Sequence, residues 1–187
     1  PSEKDLANIV VHLSQHRVYF GASDHLVSQA LYLQDIDGNE IEIYCDRPAT
    51  TWTWRDEEVN MATLPLDFER LLKHATPNEP WDKLPEETVM GHIHLHVAEL
   101  KETEKFYVQG LGMDLVLRFG AQALFLSYGK YHHHVGVNTW NGVGAPRPPK
   151  NGVGLESFSL VFNDENTRAE TVNNLQAIGA TVEAEGD

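Results

Sequence analysis

Cysteine, positive charge and long apolar runs are scarce in this sequence. Its one cysteine, Cys45, cannot form a disulfide within the chain and is typical of a protein in a reducing cytoplasm. Lys and Arg number 14 against 28 Asp and Glu, so the net charge of -14 repels phosphate and argues against nucleic acid as a partner. No segment approaches the roughly 20 consecutive apolar residues that span a membrane. We therefore expect a cytoplasmic protein that binds neither nucleic acid nor membranes.

Apolar residues are frequent enough for a core, and several histidines share one face of a predicted strand. Of the 187 residues, 41% are hydrophobic, which suits one large or two small domains. Residues 91–97 alternate between polar and apolar side chains, which places three histidines on the same face. These are His92, His94 and His96. Residues 40–44 alternate in the same way and place Glu42 on the polar face. Imidazole and carboxylate groups on such faces suggest a metal site.

Turn-forming segments divide the chain into four parts. Residues 90–142 read as one complete unit with the order β-α-β-β-β, and residues 1–45 as a partial unit whose opening strand is missing. Residues 46–89 form a linker with one short helix at 66–74, and residues 143–187 form a connection and the start of a further unit. A sheet with a helix on one face needs a partner on the other. We therefore expect an α+β fold whose repeated units pair to enclose a cavity, in a chain cut inside units at both ends.

The hydrophobic patterns also predict bounds for the elements. The complete unit should hold a strand at 90–97, a helix at 99–109, and strands at 114–119, 123–127 and 131–140. The partial unit should hold a helix capped by Ser2, then strands at 18–20, around Leu31 and around Ile41. Near the other end, a strand at 155–162 should precede a helix capped by Asn163 or Asp164.

Several short motifs are similar to those of a known superfamily. Gly91-His92-Ile93 is followed by Phe106-Tyr107 and Leu111-Gly112, and the turn at 35–39 leads to Ile41-Glu42. Two longer segments, at 23–32 and 131–140, are more specific. Together they resemble the vicinal oxygen chelate superfamily, which includes glyoxalase I, bleomycin-resistance proteins and extradiol dioxygenases. The likeness is greatest to bacterial catechol 2,3-dioxygenases, and it covers nearly the whole chain.

The resemblance implies a non-haem Fe(II) site with two His ligands and one Glu ligand. Glu42 and His92 match two of these ligands. Tyr32, ten residues before Glu42, matches a Tyr that hydrogen-bonds the substrate oxygens. His133 matches a histidine that lies behind the ligands, and His25 matches the acid–base histidine with a spacing that differs by two residues. The implied function is extradiol ring cleavage of a small aromatic, catechol-type substrate with O2.

The resemblance also implies where the remaining ligand belongs. It should be a His in the strand that precedes the helix of the Glu42 unit, before Pro1. The last unit has Ser157 where a His ligand would stand, so we expect the units of Glu42 and His92 to pair across the linker. We also expect this chain by itself to be inactive on catechols.

Other functions fit the same pattern of residues. Mn, Ni and Zn are alternatives to Fe(II). A glyoxalase-like lyase or isomerase would use Ni, Zn or Co, and a module of the bleomycin-resistance kind would bind a small molecule without metal. The residue pattern alone predicts that Glu42 is a solvated carboxylate. It also predicts that His92 is a partly exposed strand residue and that Tyr32 is a core residue. His94 and His96 are predicted to be cavity-wall or exposed residues. Candidates for an apolar wall are Trp140, Phe125 and Tyr44. The sequence does not identify the ring substituents of the substrate or the physiological metal. It also leaves open whether the chain forms a homo-oligomer.

Overall fold

The chain begins with an amphipathic helix, α1 (Glu3–Gln15), in the computed structural model, which describes residues 1–76 and 81–184. Ser2 caps this helix because its side chain accepts a hydrogen bond from the Asp5 N–H while the Asp5 carboxylate accepts one from the Ser2 N–H. The buried face of α1 is apolar and consists of Leu6, Ala7, Ile9, Val10 and Leu13. Residues 77–80 of the predicted linker and 185–187 of the last predicted segment lie outside the described residues.

Helix α1 packs on a three-stranded antiparallel sheet. The strands are β1 (Gly21–Asp24), β2 (Ser28–Gln34) and β3 (Glu40–Asp46), in the order β1-β2-β3. Leu31, Leu33 and Ile43 point to the helix and join its core. The alternate residues therefore point to the opposite face, and these include Tyr32 and Glu42.

Short elements follow the first sheet. They are a 3-10 turn at Ala49–Thr51, the hairpin strands β4 (Trp54–Arg55) and β5 (Glu58–Val59), and helix α2 (Phe68–Leu72). Helix α2 begins after Asp67, whose side chain accepts a hydrogen bond from the Arg70 N–H, and so it starts two residues later than the sequence predicts.

The second sheet contains four strands and has a helix on one face. Its strands are β6 (Ile93–His96), β7 (Asp114–Phe119), β8 (Ala123–Ser127) and β9 (Val135–Asn138), in the order β6-β9-β8-β7. Strand β6 runs parallel to β9, and the other neighbours are antiparallel. Between β6 and β7 lie α3 (Leu100–Glu104) and a π-helical turn (Lys105–Gly110), and α4 (Glu165–Ala177) follows the sheet. The core between sheet and helices includes Tyr107, Leu124, Leu126, Val135 and Val137.

The chain folds as two compact units, each with its own core. Residues 1–55 and 59–90 belong to the first unit, and residues 56–58 and those from 91 onward belong to the second. No helix in the described ranges is long and apolar enough to cross a membrane.

The α+β class is confirmed, and most predicted elements are present. The predicted strand at 18–20 is wrong, because the Val18 N–H still bonds the Leu13 carbonyl at the end of α1 and Arg17 is left-handed, with φ 57°. The first strand therefore begins at Gly21. The strand predicted at 155–162 is also wrong, since no described strand pairs with this segment and an unpaired strand leaves its backbone groups unsatisfied. The last strand of the second sheet begins at Val135, four residues later than predicted.

Candidate functional site

Tyr32 and Glu42 lie directly opposite each other on neighbouring strands. The β2–β3 hairpin pairs them in register, and both side chains leave the face that is turned away from α1. The Tyr32 hydroxyl donates a hydrogen bond to Glu42 Oε1 at 3.0 Å. The predicted metal ligand and the predicted substrate-binding tyrosine are therefore neighbours within the first unit.

His25 joins the same group from the turn after β1. Its Nδ1 lies 2.7 Å from the Ala62 carbonyl oxygen, which can only accept, so Nδ1 carries a hydrogen. Its Nε2 lies 2.6 Å from the Tyr32 hydroxyl oxygen. Three predicted site residues thus form one hydrogen-bonded chain from His25 through Tyr32 to Glu42.

The two contacts of the Tyr32 hydroxyl need two hydrogens, and the hydroxyl supplies only one of them. Its partners are His25 Nε2 at 2.6 Å and Glu42 Oε1 at 3.0 Å. When the hydroxyl hydrogen points to Glu42, the hydrogen between His25 and Tyr32 has to come from His25 Nε2. When it points to His25, the hydrogen between Tyr32 and Glu42 has to come from the Glu42 side.

Burial keeps the Tyr32 hydroxyl protonated. Desolvation raises the pKa of Tyr32 well above its usual value, and the negative charge of Glu42 raises it further. Tyr32 is consequently a hydrogen-bond donor at neutral pH and not a phenolate.

An ion pair holds the turn that carries His25. The Arg47 guanidinium donates to both Asp24 carboxylate oxygens, at 2.8 and 2.7 Å, and its backbone N–H donates to the Val27 carbonyl. Burial alone would raise the pKa of Asp24, but the hydrogen bonds from Arg47 and from the Leu26 N–H, with the charge of Arg47, hold it below its usual range. Sequence reasoning missed Asp24, Arg47 and the Ala62 carbonyl; only the position of Asp24 beside His25 offered a signal.

In the second unit, His92 and His133 stack on the sheet face opposite the helices. Their ring centroids are 4.2 Å apart, and Phe125 approaches His133 at 4.9 Å. His133 Nδ1 lies 2.8 Å from His132 Nδ1, so one of the two nitrogens carries a hydrogen and the other accepts it. His132 is only 1% exposed and therefore lies in the interior of the second unit.

His134 contacts the end of strand β8, and its Nδ1 accepts a hydrogen bond there. The Tyr128 N–H donates to His134 Nδ1 at 3.2 Å, which leaves the hydrogen of the neutral ring on Nε2. Burial lowers the pKa of His134, and the nearby His132 and His92 lower it further. The lowered pKa favours the neutral form of His134.

The predicted metal ligands belong to different units: Glu42 to the first and His92 to the second. Across residues 1–76 and 81–184, no group of three or more His, Cys, Asp or Glu side chains is arranged to hold a metal ion. The two predicted donors, one carboxylate oxygen and one imidazole nitrogen, are two-thirds of the set that non-haem Fe(II) oxygenases use. A carboxylate oxygen and an imidazole nitrogen are ligand types that Fe(II) accepts, as do other divalent metals of the first transition row.

Comparison with known proteins shows a superfamily and a named relative that this chain resembles. Residues 89–187 match the model of the Glyoxalase/Bleomycin resistance protein/Dioxygenase superfamily. The chain is 44% identical over 186 residues to a protein of Bacillus subtilis (strain 168) named catechol-2,3-dioxygenase. That alignment covers 98% of this chain and 65% of the relative, so the chain spans 65% of the length of the relative it matches. The superfamily match contains the stacked histidines of the second unit.

Proposed function

Because the chain belongs to the Glyoxalase/Bleomycin resistance protein/Dioxygenase superfamily, we propose that it is part of a non-haem Fe(II) extradiol dioxygenase that cleaves a catechol-type substrate with O2. The relative named catechol-2,3-dioxygenase, at 44% identity, supports this chemistry. The superfamily also contains proteins with other activities, so the site has to carry the argument.

One observation carries the proposal: the Tyr32 hydroxyl bridges His25 Nε2 and Glu42 Oε1. A carboxylate on a polar strand face is usually solvated, yet here a buried hydroxyl and an imidazole extend from it in a defined chain. A catechol gives up protons when it binds, and ring cleavage needs proton transfer at defined positions. Tyr32 and His25, beside the carboxylate that we propose as a metal ligand, supply a hydroxyl and an imidazole for this proton transfer.

In this proposal Glu42 and His92 are ligands of Fe(II), and the resemblance calls for a second His, for which we propose no residue of this chain. Fe(II), when bound, supplies the redox chemistry that couples a catechol to O2. Mn(II) has similar ligand preferences, whereas Ni and Zn would suit the lyase or isomerase alternative.

The remaining residues handle protons and orientation. His25 holds a proton on Nδ1 against the Ala62 carbonyl, so only its Nε2 exchanges a proton with the Tyr32 side. Tyr32 donates a hydrogen bond toward an oxygen, either that of Glu42 or that of a bound substrate. His133, paired with His132 and stacked on His92, orients the ring of that ligand.

The test is O2 uptake by the natural protein that carries this sequence, loaded with Fe(II) without oxygen and then mixed with catechol and air. We expect equal moles of O2 and catechol to be consumed, with formation of the ring-opened product. Ni- or Zn-loaded protein should consume no O2. Catechol binding without O2 uptake would favour a binding module, and activity on a thiol adduct that is indifferent to O2 would favour a glyoxalase-like enzyme.

Two wider features are also proposals. The single cysteine, which is buried, favours a cytoplasmic location. A small aromatic molecule and O2 are the partners that the site chemistry needs, and a homo-oligomer is compatible with both.

A further inference from the structure

His94 lies on the histidine face of the second sheet, over a glycine. Strand register pairs His94 with Gly136, and Gly136 with Phe125 on the far side. A Cβ on Gly136 would stand 3.2 Å from His94 Cγ, which is closer than ordinary side-chain contacts. Because Gly136 has no side chain, the His94 ring can lie over β9 and approach Phe125. The centroids of the His94 and Phe125 rings are 5.9 Å apart.

A buried amide determines which His94 nitrogen carries the hydrogen. Asn138 is 0% exposed, and its Oδ1 accepts a hydrogen bond from the Trp140 backbone N–H at 2.9 Å. Because a backbone N–H can only donate, this contact fixes the orientation of the amide. Asn138 Nδ2, a donor, then lies 2.9 Å from His94 Nε2, which must accept. The neutral His94 ring consequently carries its hydrogen on Nδ1.

The His94 ring is held on its remaining side by Trp140. The two ring centroids are 5.3 Å apart, although Trp140 is 55% exposed and His94 is exposed as well. An exposed ring fixed by an amide, a glycine and two aromatic rings loses little further freedom when a ligand binds. Such preorganisation improves affinity because the entropy cost is already met by the fold.

His94 is also next to the proposed ligand His92. His92 directly precedes β6 and stands two positions before His94, which corresponds to roughly 6.6 Å along an extended chain. The rings of His92, His133, Phe125 and His94 follow one another with centroid distances of 4.2, 4.9 and 5.9 Å. In the proposed function, the catechol hydroxyls bind the Fe(II) that His92 holds. The ring substituents of the catechol would then lie over the rings of His133, Phe125 and His94.

We propose that His94 is a substrate-binding residue that donates a hydrogen bond from Nδ1 to an acceptor oxygen on the ring substituent of a catechol. Phe125 and Trp140 supply the apolar surface for that substituent. The preferred substrates are then catechols with a carbonyl-bearing side chain, over catechols with a plain alkyl chain. This inference rests on the proposed function and adds the class of substituent to it.

The hydrogen position can be tested without catalysis. Long-range 1H–15N correlation spectra of the metal-free protein should show His94 with its hydrogen on Nδ1. Asn138→Asp replaces the donor by an acceptor of the same shape, so His94 should then carry a hydrogen on Nε2. A wild-type ring with its hydrogen on Nε2 would overturn the inference.

Specificity is tested with a matched pair of catechols that carry an acetyl or an ethyl group at the same ring position. Dissociation constants without oxygen, and kcat/KM in air, are measured for the natural protein, for His94→Leu and for His94→Asn, whose amide keeps a donor near the Nδ1 position. We expect His94→Leu to lower the preference for the acetyl compound about 3–10-fold, the value of one neutral hydrogen bond, and His94→Asn to restore much of it. The exposed neighbour His96→Leu is the control and should leave the preference unchanged.

The outcomes separate the inference from the function on which it rests. If wild type cleaves catechols and His94→Leu keeps the wild-type preference in both binding and turnover, His94 does not bind the substituent and the inference is wrong. If wild type neither binds nor cleaves any of these catechols, the proposed function fails and the inference falls with it, whatever the state of the His94 ring.

Discussion

At the scale of single residues, the most informative feature is the Tyr32 hydroxyl. It has two partners, His25 Nε2 and Glu42 Oε1, and burial holds it protonated by raising its pKa. Its position opposite Glu42 follows from the hairpin register, in which the residue numbers of each pair have a constant sum. The resemblance, with its ten-residue spacing from Glu42, predicted Tyr32 as a site residue, but the register that places the two side chains opposite each other is seen in the structure. The Ala62 carbonyl that fixes His25 lies 37 residues away, and no local pattern could predict it.

Tyr32→Phe keeps the ring and removes the hydroxyl, so the link between His25 and Glu42 is lost. We expect kcat for catechol to fall about 10–100-fold, the usual effect of losing a group that supports a metal site. Steady-state O2 uptake measures this effect. Tyr19→Phe, at a 92% exposed position, is the control and should match wild type. A Tyr32→Phe protein with wild-type kcat would show that the hydroxyl takes no part in the reaction.

His25→Gln keeps a polar group near Tyr32 and removes the titratable ring. We expect kcat to fall about 100–10,000-fold with a smaller change in KM, as for the loss of a general acid–base group. His16→Gln, which changes an exposed histidine of the same unit, should have no effect. If His25→Gln and the apolar variant His25→Leu lower kcat equally, the result agrees with this role. A wild-type kcat in His25→Gln would exclude it.

At the scale of elements, the turn between β1 and β2 is the part that positions His25. Arg47 anchors this turn through Asp24, the Ser28 carbonyl and the Val27 carbonyl. Hydrophobic alternation predicted β2, β3, β7 and β8 well, because one face of each strand is buried against a helix. It failed at 18–20 and at 155–162, where apolar residues belong to a helix end or to an unpaired segment. The π-helical turn at Lys105–Gly110 was not predicted, because the hydrophobic pattern favoured one continuous helix over 99–109 and does not separate π from α geometry.

Asp24→Asn should destabilise the first unit in a pH-dependent way. The folded-state pKa of Asp24 is lowered, so its contribution is fully present above the unfolded-state value of about 3.9 and is lost as the pH falls through the folded-state value. We expect a loss of about 1.5–3 kcal/mol in the free energy of unfolding at pH ~7 and a smaller loss at pH ~3. Urea unfolding at both pH values measures it.

The control for this prediction is Asp82→Asn, an exposed carboxylate of the same unit, which should change stability by less than about 0.5 kcal/mol. If Asp24→Asn lowered stability equally at both pH values, its charge would not be the cause.

At the scale of the whole molecule, the described residues form two units with separate cores. Helix α1 with β1–β3, and α3 with β6–β9, each show one apolar face per element, and the superfamily resemblance is confirmed by the match at 89–187. The assignment of Glu42 and His92 to one metal stays a prediction. The fixed state of His94 could not be predicted, because it depends on contacts between β6 and the distant segment that contains Gly136, Asn138 and Trp140.

Shortening a buried side chain in one core should destabilise mainly the unit that contains that core. Leu31 and Leu124 are both 0% exposed, the first in the core under α1 and the second in the core of the four-stranded sheet. We expect Leu31→Ala and Leu124→Ala each to cost about 2–5 kcal/mol. Amide hydrogen exchange should accelerate most in β1–β3 for the first variant and in β7–β9 for the second. Leu155→Ala, at a 57% exposed position, should change neither pattern. Faster exchange in the opposite sheet alone would contradict this division.

The central claim, that Glu42 binds the catalytic metal, is tested most directly by Fe(II) titration without oxygen. The natural protein carrying this sequence is compared with Glu42→Gln, which keeps the oxygen that accepts from Tyr32 but loses the charge. Glu40→Gln, two residues earlier on the same strand face and exposed, is the matched control. We predict that Glu42→Gln weakens Fe(II) binding by more than about tenfold and abolishes O2 uptake with catechol, while Glu40→Gln behaves as wild type. Wild-type Fe(II) affinity and O2 uptake in Glu42→Gln would contradict the account.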